Sequence, residues 1–486
     1  MSKNLEQIKN VLKTLGVKAD ENEIYERIKD KKLKVIWLHF SECTGCSESF
    51  IRSESIGLDD LIFDYIDLVY HETYMASSGF LAESLLESKE PYLLIVEGAI
   101  SANEYYTSGA FAHSAMHKMQ ELAKNALAIY AVGSCSSYGG IQAAAPNPTI
   151  SYGIADEFKD AVLIPGCPPS ESNIIASIMH FVFFNSAPSL DNNNRPAFAY
   201  AKCLHDMCER KVAFESGDFV KEFGDEAAKN GACLFKVGCK GPYTFNNCPK
   251  TKFNSKTSWP VAAGHGCIAC SERDFWDNYG VYELSMASSY AQGKRKRAQN
   301  IINNFEKGTT CIKDDGIYKD NEKILSFEFE MQNIASFLST NKLGQKLLAN
   351  YEKEFNINLQ ADSKIASKFS DIFLAASFIL NKEFKSLDEI LKLANSYEIG
   401  IASGLDFKLN NNIPFKLDVQ KSLRLVLIYK LGGLDDIAIY YGIADSIAQV
   451  IVKVLKLADI KEFYFEDEIF KSEIMQERLS FYLKRI

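Results

Sequence analysis

Five cysteines that lie close together give the first indication of chemistry. They share a stretch rich in glycine and proline, and they are Cys233, Cys239, Cys248, Cys267 and Cys270. Thiolates held on turns at such spacing suit zinc or the iron of iron-sulfur clusters. A disulfide interpretation would need an exported chain. We therefore expect this stretch to bind a metal.

The remaining candidate ligands indicate which metal. They occur in sets, which are the CxxC pair Cys43 and Cys46, the separate Cys135 and Cys167 in glycine-rich turns, and the pair His205 and Cys208. Zinc sites usually gather their ligands in two close pairs. One set here would draw ligands from three distant places in the chain, which favours iron-sulfur clusters. The other two cysteines fit no set: Cys203 is interpreted as a bystander near His205 and Cys208, and Cys311 as a free thiol.

The four cysteines that come first in the chain are expected to be positioned by a sheet. Five short apolar segments read as buried strands: Lys34 to Phe40, Tyr65 to Tyr70, Tyr92 to Val96, Leu127 to Val132 and Ala161 to Ile164. Helical stretches such as Ala110 to Ala126 lie between them, and this alternation predicts a parallel sheet with helices on both faces. Such sheets bind ligands beyond the carboxyl ends of their strands. Because Cys43, Cys46, Cys135 and Cys167 follow three of these strands, their thiolates can converge on one cubane.

These residues carry a resemblance to a known family. The chain is similar to the small, electron-transferring subunit of [NiFe]-hydrogenases, from about residue 31 to 290. The matching motifs are Glu42-Cys43-Thr44-Gly45-Cys46, Gly133 to Gly140, Pro165 to Pro169, His205 to Cys208, and Cys233 to Trp276. The resemblance implies a flavodoxin-like domain and a subunit of a hydrogenase that holds its nickel-iron site in a separate large subunit. It implies no catalytic residue in this chain.

The resemblance also implies two [4Fe-4S] clusters and one [3Fe-4S] cluster. The ligands of the proximal [4Fe-4S] cluster would be Cys43, Cys46, Cys135 and Cys167. Those of the distal [4Fe-4S] cluster would be His205, Cys208, Cys233 and Cys239. Those of the medial [3Fe-4S] cluster would be Cys248, Cys267 and Cys270, with Pro260 in place of a fourth cysteine. Three thiolates cannot hold every corner of a cubane, which agrees with a three-iron cluster.

Two carboxylates beside these motifs have open roles. Glu97 follows the third predicted strand, and it could face the proximal cluster, face the partner subunit or be an ordinary surface residue. Glu42, together with Thr44, could contribute to a proton path. The sequence does not choose among these roles.

Length and composition suggest several domains. The chain has 486 residues, of which 47% are hydrophobic and 24% charged, as in ordinary globular proteins. We predict an N-terminal helical extension at 1–30, a doubly wound α/β domain with the proximal cluster at 31–190, a loop-rich domain with the medial and distal clusters at 191–292, and a mainly α-helical domain at 293–486. The basic run Gly293 to Arg297 is interpreted as a solvated linker. The last domain shows no chemistry of its own.

The sequence also leads to an expected location. The first 30 residues form an amphipathic pattern without a signal-like apolar run or a twin-arginine motif, so we expect a cytoplasmic protein. The apolar stretches that stand out, such as Ile372 to Leu380, are too short to cross a bilayer, so no transmembrane segment is expected. The net charge of -9 does not favour nucleic-acid binding.

The predicted function is electron relay between the nickel-iron site of the large subunit and an unidentified electron acceptor or donor. Two alternatives stay open. The first is a non-catalytic paralogue that acts in hydrogenase maturation or assembly, because the long tail departs from the family. The second is an iron-sulfur subunit of another redox complex, such as quinone-reducing relatives of this fold. Those relatives lack the medial and distal motifs, which counts against the second alternative.

Overall fold

The fold is given by a computed structural model, which describes residues 4–53, 55–101, 106–109, 111–273, 275–278, 309–331, 333–359, 364–398, 403–410 and 412–484. The chain divides into two compact units. The first comprises Met1–Glu209 and Cys239–Tyr282, and the second Arg210–Gly238 and Glu283–Ile486. The predicted boundary at 292 and the basic run Gly293 to Arg297 lie outside the described residues.

A five-stranded parallel sheet forms the centre of the first unit. Its strands β1 to β5 are Leu33–His39, Ile66–His71, Tyr92–Glu97, Ala126–Val132 and Val162–Ile164. They are arranged in the order β2-β1-β3-β4-β5, and all neighbours pair in parallel. Each strand lies within one residue of its predicted bounds. The prediction of a parallel α/β sheet is therefore confirmed.

Both faces of this sheet are buried, because alternate residues of each strand enter different cores. Val35 and Trp37 of β1 belong to one core, whereas Ile36 and Leu38 belong to the other. Helices α1 (Leu5–Leu15), α2 (Glu21–Ile28), α3 (Gly45–Ile51) and α5 (Glu171–Phe184) bury apolar residues in the first core. Helix α4 (Ser134–Tyr138) and the helix Ala115–Ala123 pack into the second. Runs that are apolar at every position are typical of such two-sided burial.

The N-terminal extension is a helical hairpin. Helix α1 buries Ile8, Val11, Leu12 and Leu15, the residues whose spacing predicted an amphipathic helix. The helix ends at Gly16, which adopts a left-handed conformation with φ of 68°. Helix α2 lies within the predicted helical extension, although its bounds were not predicted. Its cap is Asp20, whose side chain accepts hydrogen bonds from Asn22 N and Glu23 N.

The other described elements of the first unit are short. The helical ones are Leu58–Asp60, Leu61–Tyr65, Gly79–Leu85, Ala115–Ala123, Gly140–Ala143, Ile154–Glu157, Ala197–Tyr200, Leu204–Met207, Gly241–Tyr243, Cys248–Thr251 and Phe275–Asn278. The short strands pair Ile100–Ser101 with Ser151–Tyr152, and Thr107–Ser108 with His113–Ser114. The helix predicted to start at Ala110 begins only at Ala115, because Ser114 caps it by accepting a hydrogen bond from His117 N.

The second unit differs from the predicted, mainly α-helical domain because it contains a six-stranded mixed sheet. The strands, in spatial order, are Lys408–Leu409, Phe415–Asp418, Glu322–Ser326, Gly316–Lys319, Thr310–Lys313 and Phe463–Phe465. A small separate sheet pairs Phe329–Glu330 with Ile365–Ala366. Asp320 and Asn321 both have positive φ and join two of the strands as a hairpin turn. Strands of two to five residues give too little alternation to be recognised from sequence.

The second unit also contains helices, and the first three of them lie in the segment Arg210–Gly238. They are Lys211–Glu215, Glu226–Lys229, Phe235–Val237, Ile334–Leu338, Lys342–Phe355, Phe369–Ile379, Leu387–Asn395, Val419–Leu431, Asp436–Leu457, Glu468–Lys471 and Glu473–Leu483. The ring of Phe235 lies 5.5 Å from that of Phe214 and 6.4 Å from that of Tyr429. Lys221 Nζ pairs with Glu354 Oε2 at 3.0 Å. This segment therefore packs against the C-terminal helices.

One helix, Asp436–Leu457, is long and apolar enough to cross a membrane by length and composition. It was not recognised as such from the sequence. Within the second unit, 83% of its apolar window is buried against other elements. The helix therefore packs as a core helix of this unit.

Candidate metal centre

Four thiols meet at the carboxyl edge of the parallel sheet. Cys43 and Cys46 follow β1, Cys135 lies in helix α4 after β4, and Cys167 follows β5. Burial raises the pKa of Cys46 most, and Glu97 and the other three thiols raise it further. Burial, then Cys167, raises the pKa of Cys135 to about 11. Burial and Cys43 raise the pKa of Cys167. The structure thus brings together the four predicted ligands of the proximal cluster.

Two glycines allow the backbone to pass close to these sulfurs. Gly133 has a φ of 91°, and a Cβ atom there would lie 2.5 Å from Cys46 Sγ. Gly140 has a φ of 64°, and its Cβ atom would lie 2.5 Å from Cys135 Sγ. Both positions need a residue without a side chain, for conformation and for space.

Glu97 fixes the backbone at Cys46. It ends strand β3 and is only 1% exposed. Its Oε1 accepts hydrogen bonds from Cys46 N at 3.0 Å and Ser47 N at 3.3 Å, and its Oε2 accepts one from Ser47 Oγ at 2.6 Å. Burial raises the pKa of Glu97. Of the three roles left open for Glu97, the structure supports a position beside the proximal thiols, where it satisfies free N–H groups at the start of α3.

A buried polar network extends from Glu97. His39 Nδ1 lies 3.4 Å from Glu42 Oε1 and 4.0 Å from Glu97 Oε2. Thr44 Oγ1 donates a hydrogen bond to Glu42 Oε1 at 3.2 Å. Burial, and then His39, lowers the pKa of His71 to about 3. Sequence reasoning named Glu42 and Thr44 but missed both histidines, although the spacing of His39 and Glu42 at the end of a strand was a usable signal.

The three predicted medial ligands also lie together in the first unit. Burial raises the pKa of Cys267 most, and Cys239 and Cys270 raise it further. Burial and then Cys270 raise the pKa of Cys248. The pKa of Cys270 rises to about 12, chiefly through burial. Ala269 N donates a hydrogen bond to Cys267 Sγ at 3.4 Å. The structure therefore brings this trio together.

The medial trio is linked to the proximal set. Burial raises the pKa of the Cys270 thiol, and the neighbouring Cys167 also affects it, so these two residues lie close together. Ser134 Oγ donates a hydrogen bond to the carbonyl of Cys270 and accepts one from Gly166 N at 3.0 Å. Ser134 therefore bridges the backbone next to Cys167 and the backbone of Cys270, which places the two sets side by side.

The predicted distal ligands are divided between the two units. His205, Cys208 and Cys239 belong to the first unit, where Cys239 Sγ accepts a hydrogen bond from Cys267 N at 3.2 Å. Cys233 belongs to the second unit, where its N–H donates to Asp218 O and its carbonyl accepts from Val220 N. The grouping of these four ligands stays a prediction.

Pro260 has less structural support than the thiols. It is exposed, and its carbonyl accepts a hydrogen bond from His265 N at 2.9 Å. The adjacent Trp259 is buried, and its Nε1 donates to Glu209 Oε1 at 3.1 Å. Trp259 is therefore a packing residue, whereas the place of Pro260 at an open cluster corner stays a prediction.

The donor sets fit iron-sulfur clusters. Buried thiols with raised pKa values resist ionisation unless a cation compensates their charge, and the iron of a cluster does so. We compared groups of three histidine, cysteine, aspartate or glutamate side chains that could hold one metal ion. Among the described residues, the one group whose ligand atoms all lie within 4.8 Å of one another is His39, Glu42 and Glu97. The cysteine sets are more open, as ligands at separate corners of a polynuclear cluster must be. A single zinc ion, with Zn–S distances of about 2.3 Å, needs a tighter set.

Comparison with known proteins gives a family. Residues 200–283 match the C-terminal family of the NiFe/NiFeSe hydrogenase small subunit, and residues 43–181 match the family described as NADH ubiquinone oxidoreductase, 20 Kd subunit. The chain is 53% identical over 266 residues to the quinone-reactive Ni/Fe-hydrogenase small chain of Wolinella succinogenes, an alignment that covers 53% of this chain and 75% of that protein. It is 43% identical over 256 residues to the periplasmic [NiFe] hydrogenase small subunit 1 of Nitratidesulfovibrio vulgaris, covering 51% and 80%.

A solved chain of the Ni-Fe-Se hydrogenase from Desulfomicrobium baculatum aligns with 52% of this chain and 100% of its own length. Its sequence identity is 31% and its TM-score is 0.49. By the two sequence alignments, about half of the present chain is shared with the named relatives and about half is not.

The expected cytoplasmic location is wrong. Two similar proteins are named periplasmic and another quinone-reactive, so the relatives point away from the cytoplasm. The expectation depended on motifs not found in the first 30 residues. An absence at the start of a sequence does not determine location.

Proposed function

Because this chain belongs to the family of [NiFe]-hydrogenase small subunits, we propose that it relays electrons between the nickel-iron site of a separate large subunit and a redox partner through three iron-sulfur clusters. The observation that carries the proposal is the convergence of Cys43, Cys46, Cys135 and Cys167 beyond the carboxyl ends of the sheet. Maturation or assembly is not favoured, because the similar proteins are named as hydrogenase small subunits.

Each cluster, when bound, would accept and release one electron at a time. The residues of this chain hold the ligands, exclude water and supply hydrogen bonds to sulfur. Such bonds come from Ala269 N to Cys267 and from Cys267 N to Cys239. Because hydrogen bonds to sulfur and burial both shift reduction potentials, these contacts tune the relay.

We assign the clusters to the predicted sets. The proximal [4Fe-4S] cluster takes Cys43, Cys46, Cys135 and Cys167. The medial [3Fe-4S] cluster takes Cys248, Cys267 and Cys270. The distal [4Fe-4S] cluster takes His205, Cys208, Cys233 and Cys239. The hydrogen bonds of Ser134 to the carbonyl of Cys270 and from Gly166 N support a short step from the proximal to the medial site.

We also infer a flavodoxin-like class for the sheet of the first unit. The order β2-β1-β3-β4-β5 supports this class, in which ligands bind where the strand order reverses. Strands β1 and β3 flank that point, and they carry Cys43, Cys46 and Glu97 at their carboxyl ends.

The proposal is tested by anaerobic purification of the chain with its native partner. The complex should reduce a dye in the presence of hydrogen. It should contain about eleven irons in each copy of this chain, in addition to the iron of the nickel-iron site in the large subunit. Cys135→Ser should lose about four irons and the hydrogen-dependent activity, because its thiolate holds one corner of the proximal cluster. Cys311→Ser is the matched control, since that buried thiol donates a hydrogen bond to Glu466 and belongs to no set. Stoichiometric zinc without iron would refute the proposal.

The three-iron assignment has its own test. Pro260→Cys supplies a fourth thiolate, so the medial site should accept a fourth iron and lose the electron paramagnetic resonance signal of its oxidised three-iron form. Pro242→Cys serves as a control for an added thiol outside the set. An unchanged three-iron signal in Pro260→Cys would place the open corner elsewhere.

A further inference from the structure

A cavity of about 770 Å³ lies within the first unit, beside the proposed medial site. Helix α1 forms one wall, through Lys13, Leu15 and neighbouring residues. The facing walls come from the segments 197–202 and 247–251, the second of which contains Cys248. Helix α1 belongs to the first 30 residues, which the family resemblance does not cover. The cavity is therefore lined partly by the N-terminal extension and partly by residues of the region that resembles the family.

The lining of this cavity has one sign of charge. It contains four lysines, Lys13, Lys202, Lys250 and Lys256, and no aspartate or glutamate. This is unusual for a chain with 63 acidic residues against 54 basic ones. Glu171, the residue before Ser172 of the lining, is buried, and burial raises the pKa of its carboxyl while Lys256 interacts with it. One buried carboxylate compensates only part of the four positive charges.

The rest of the lining suits an organic molecule. Leu15, Phe198 and Met207 contribute apolar surface, and Asn247 and Thr251 contribute buried polar groups. Pockets for small molecules usually have about 300–1,000 Å³, apolar walls and a few polar groups. Lysine ammonium groups bind phosphate and carboxylate groups as point charges.

We propose that this cavity binds a small, multiply charged organic anion, such as a nucleotide, whose charged groups contact the four lysines and whose body contacts the apolar wall. A concave site of this size favours a small molecule over a protein surface. Given the proposed function, the ligand also regulates the relay. Lys250 lies two residues from Cys248, so a bound anion adds negative charge near the medial site and makes its reduction harder.

Binding is tested on the full chain by isothermal titration calorimetry with ATP, inorganic pyrophosphate and citrate. ATP should bind more tightly than pyrophosphate, because only ATP also fills the apolar part. Replacing two lysines, Lys13→Ala with Lys256→Ala, should weaken ATP binding by about tenfold or more, through the loss of two charge-assisted contacts. Lys9→Ala with Lys18→Ala is the matched control, because these exposed lysines lie on or next to α1 but outside the lining.

The outcomes separate the parts of the proposal. No binding of any of the three anions at millimolar concentration, or equal effects of the two lysine pairs, would overturn the site. Equal affinities for ATP and pyrophosphate would overturn the apolar contribution. Regulation is read from the midpoint potential of the three-iron signal, which ATP should lower in the wild type but not in the Lys13, Lys256 variant. A potential that does not respond to bound ATP would overturn regulation, whereas a missing three-iron signal would instead contradict the proposed function.

Discussion

At the scale of residues, the proximal site needs glycines without side chains as well as thiols. Gly133 and Gly140 leave room for Cys46 and Cys135, and both have positive φ. His39 and His71 add a buried polar network next to the thiols, and their rings lie 4.7 Å apart in an edge-on arrangement. These residues contribute to the site without being ligands.

Gly140→Ala should lose about four irons per chain, because the new methyl group would overlap Cys135 Sγ and displace a cluster ligand. Iron analysis of the anaerobically purified protein measures this. Gly16→Ala is a close control, since Gly16 has a similar φ of 68° but no atom within 4 Å of the added Cβ. Equal iron losses in the two variants would mean that backbone strain, not the contact with sulfur, is responsible.

The pH dependence of stability should report His71. Its pKa in the folded chain, about 3, lies below the ordinary value of 6.5. Folding therefore favours the neutral imidazole ring. The contribution of His71 to the stability of the folded chain is complete above pH 6.5 and falls as the pH drops towards 3. Each pH unit in this window costs about 1.4 kcal/mol. Denaturant unfolding between about pH 7 and 5.5 should show a smaller loss in His71→Asn than in the wild type. Parallel curves would contradict the assignment.

At the scale of elements, hydrogen bonds connect the carboxyl end of β3 to the N-terminus of α3. Glu97 makes this connection through Cys46 N, Ser47 N and Ser47 Oγ. The sheet therefore determines where the CxxC turn lies. A side chain that touches no predicted metal atom thus positions one of the ligands.

Glu97→Ala should lower the free energy of unfolding by about 1–3 kcal/mol and reduce iron occupancy, because it leaves buried N–H groups at Cys46 and Ser47 without an acceptor. Glu97→Gln keeps one acceptor oxygen for those groups and should retain most of the iron. Chemical unfolding and iron analysis of both variants measure the difference. Similar iron contents in the wild type and Glu97→Ala would show that α3 is held by its other contacts.

At the scale of the whole molecule, the C-terminal part of the chain is not a separate appendage. It forms one unit with Arg210–Gly238, the segment that carries Cys233. Phe235 and Phe214 pack against Tyr429, and Asn350 Nδ2 donates a hydrogen bond to Ser216 O at 2.9 Å. The tail therefore supports a segment that the family resemblance assigns to a cluster.

Tyr429→Ala should destabilise the second unit by about 3 kcal/mol and reduce the iron of the distal set selectively, because its ring packs against the Cys233 segment. Phe463→Ala is a matched control, as a buried aromatic residue in the sheet of the same unit. Distal cluster signals in electron paramagnetic resonance of the reduced protein distinguish the two. Equal losses in both variants would mean that the effect is one of general stability.

The sequence by itself determined the five strands of the first sheet, the helix α1 and the sets of cysteines, because these follow from local alternation, helical spacing and short motifs. It could not determine the six-stranded sheet of the second unit, whose short strands are specified mainly by their pairing partners. Nor could it determine that Glu97 binds Cys46 N, or that Cys233 lies with the C-terminal helices, since both depend on contacts between residues far apart in the chain. The lysine-lined cavity likewise could not be determined from the sequence, because its residues are far apart in the chain. Its four lysines look like ordinary surface residues in the sequence, and only the fold places α1 and the segments 197–202 and 247–251 around one cavity.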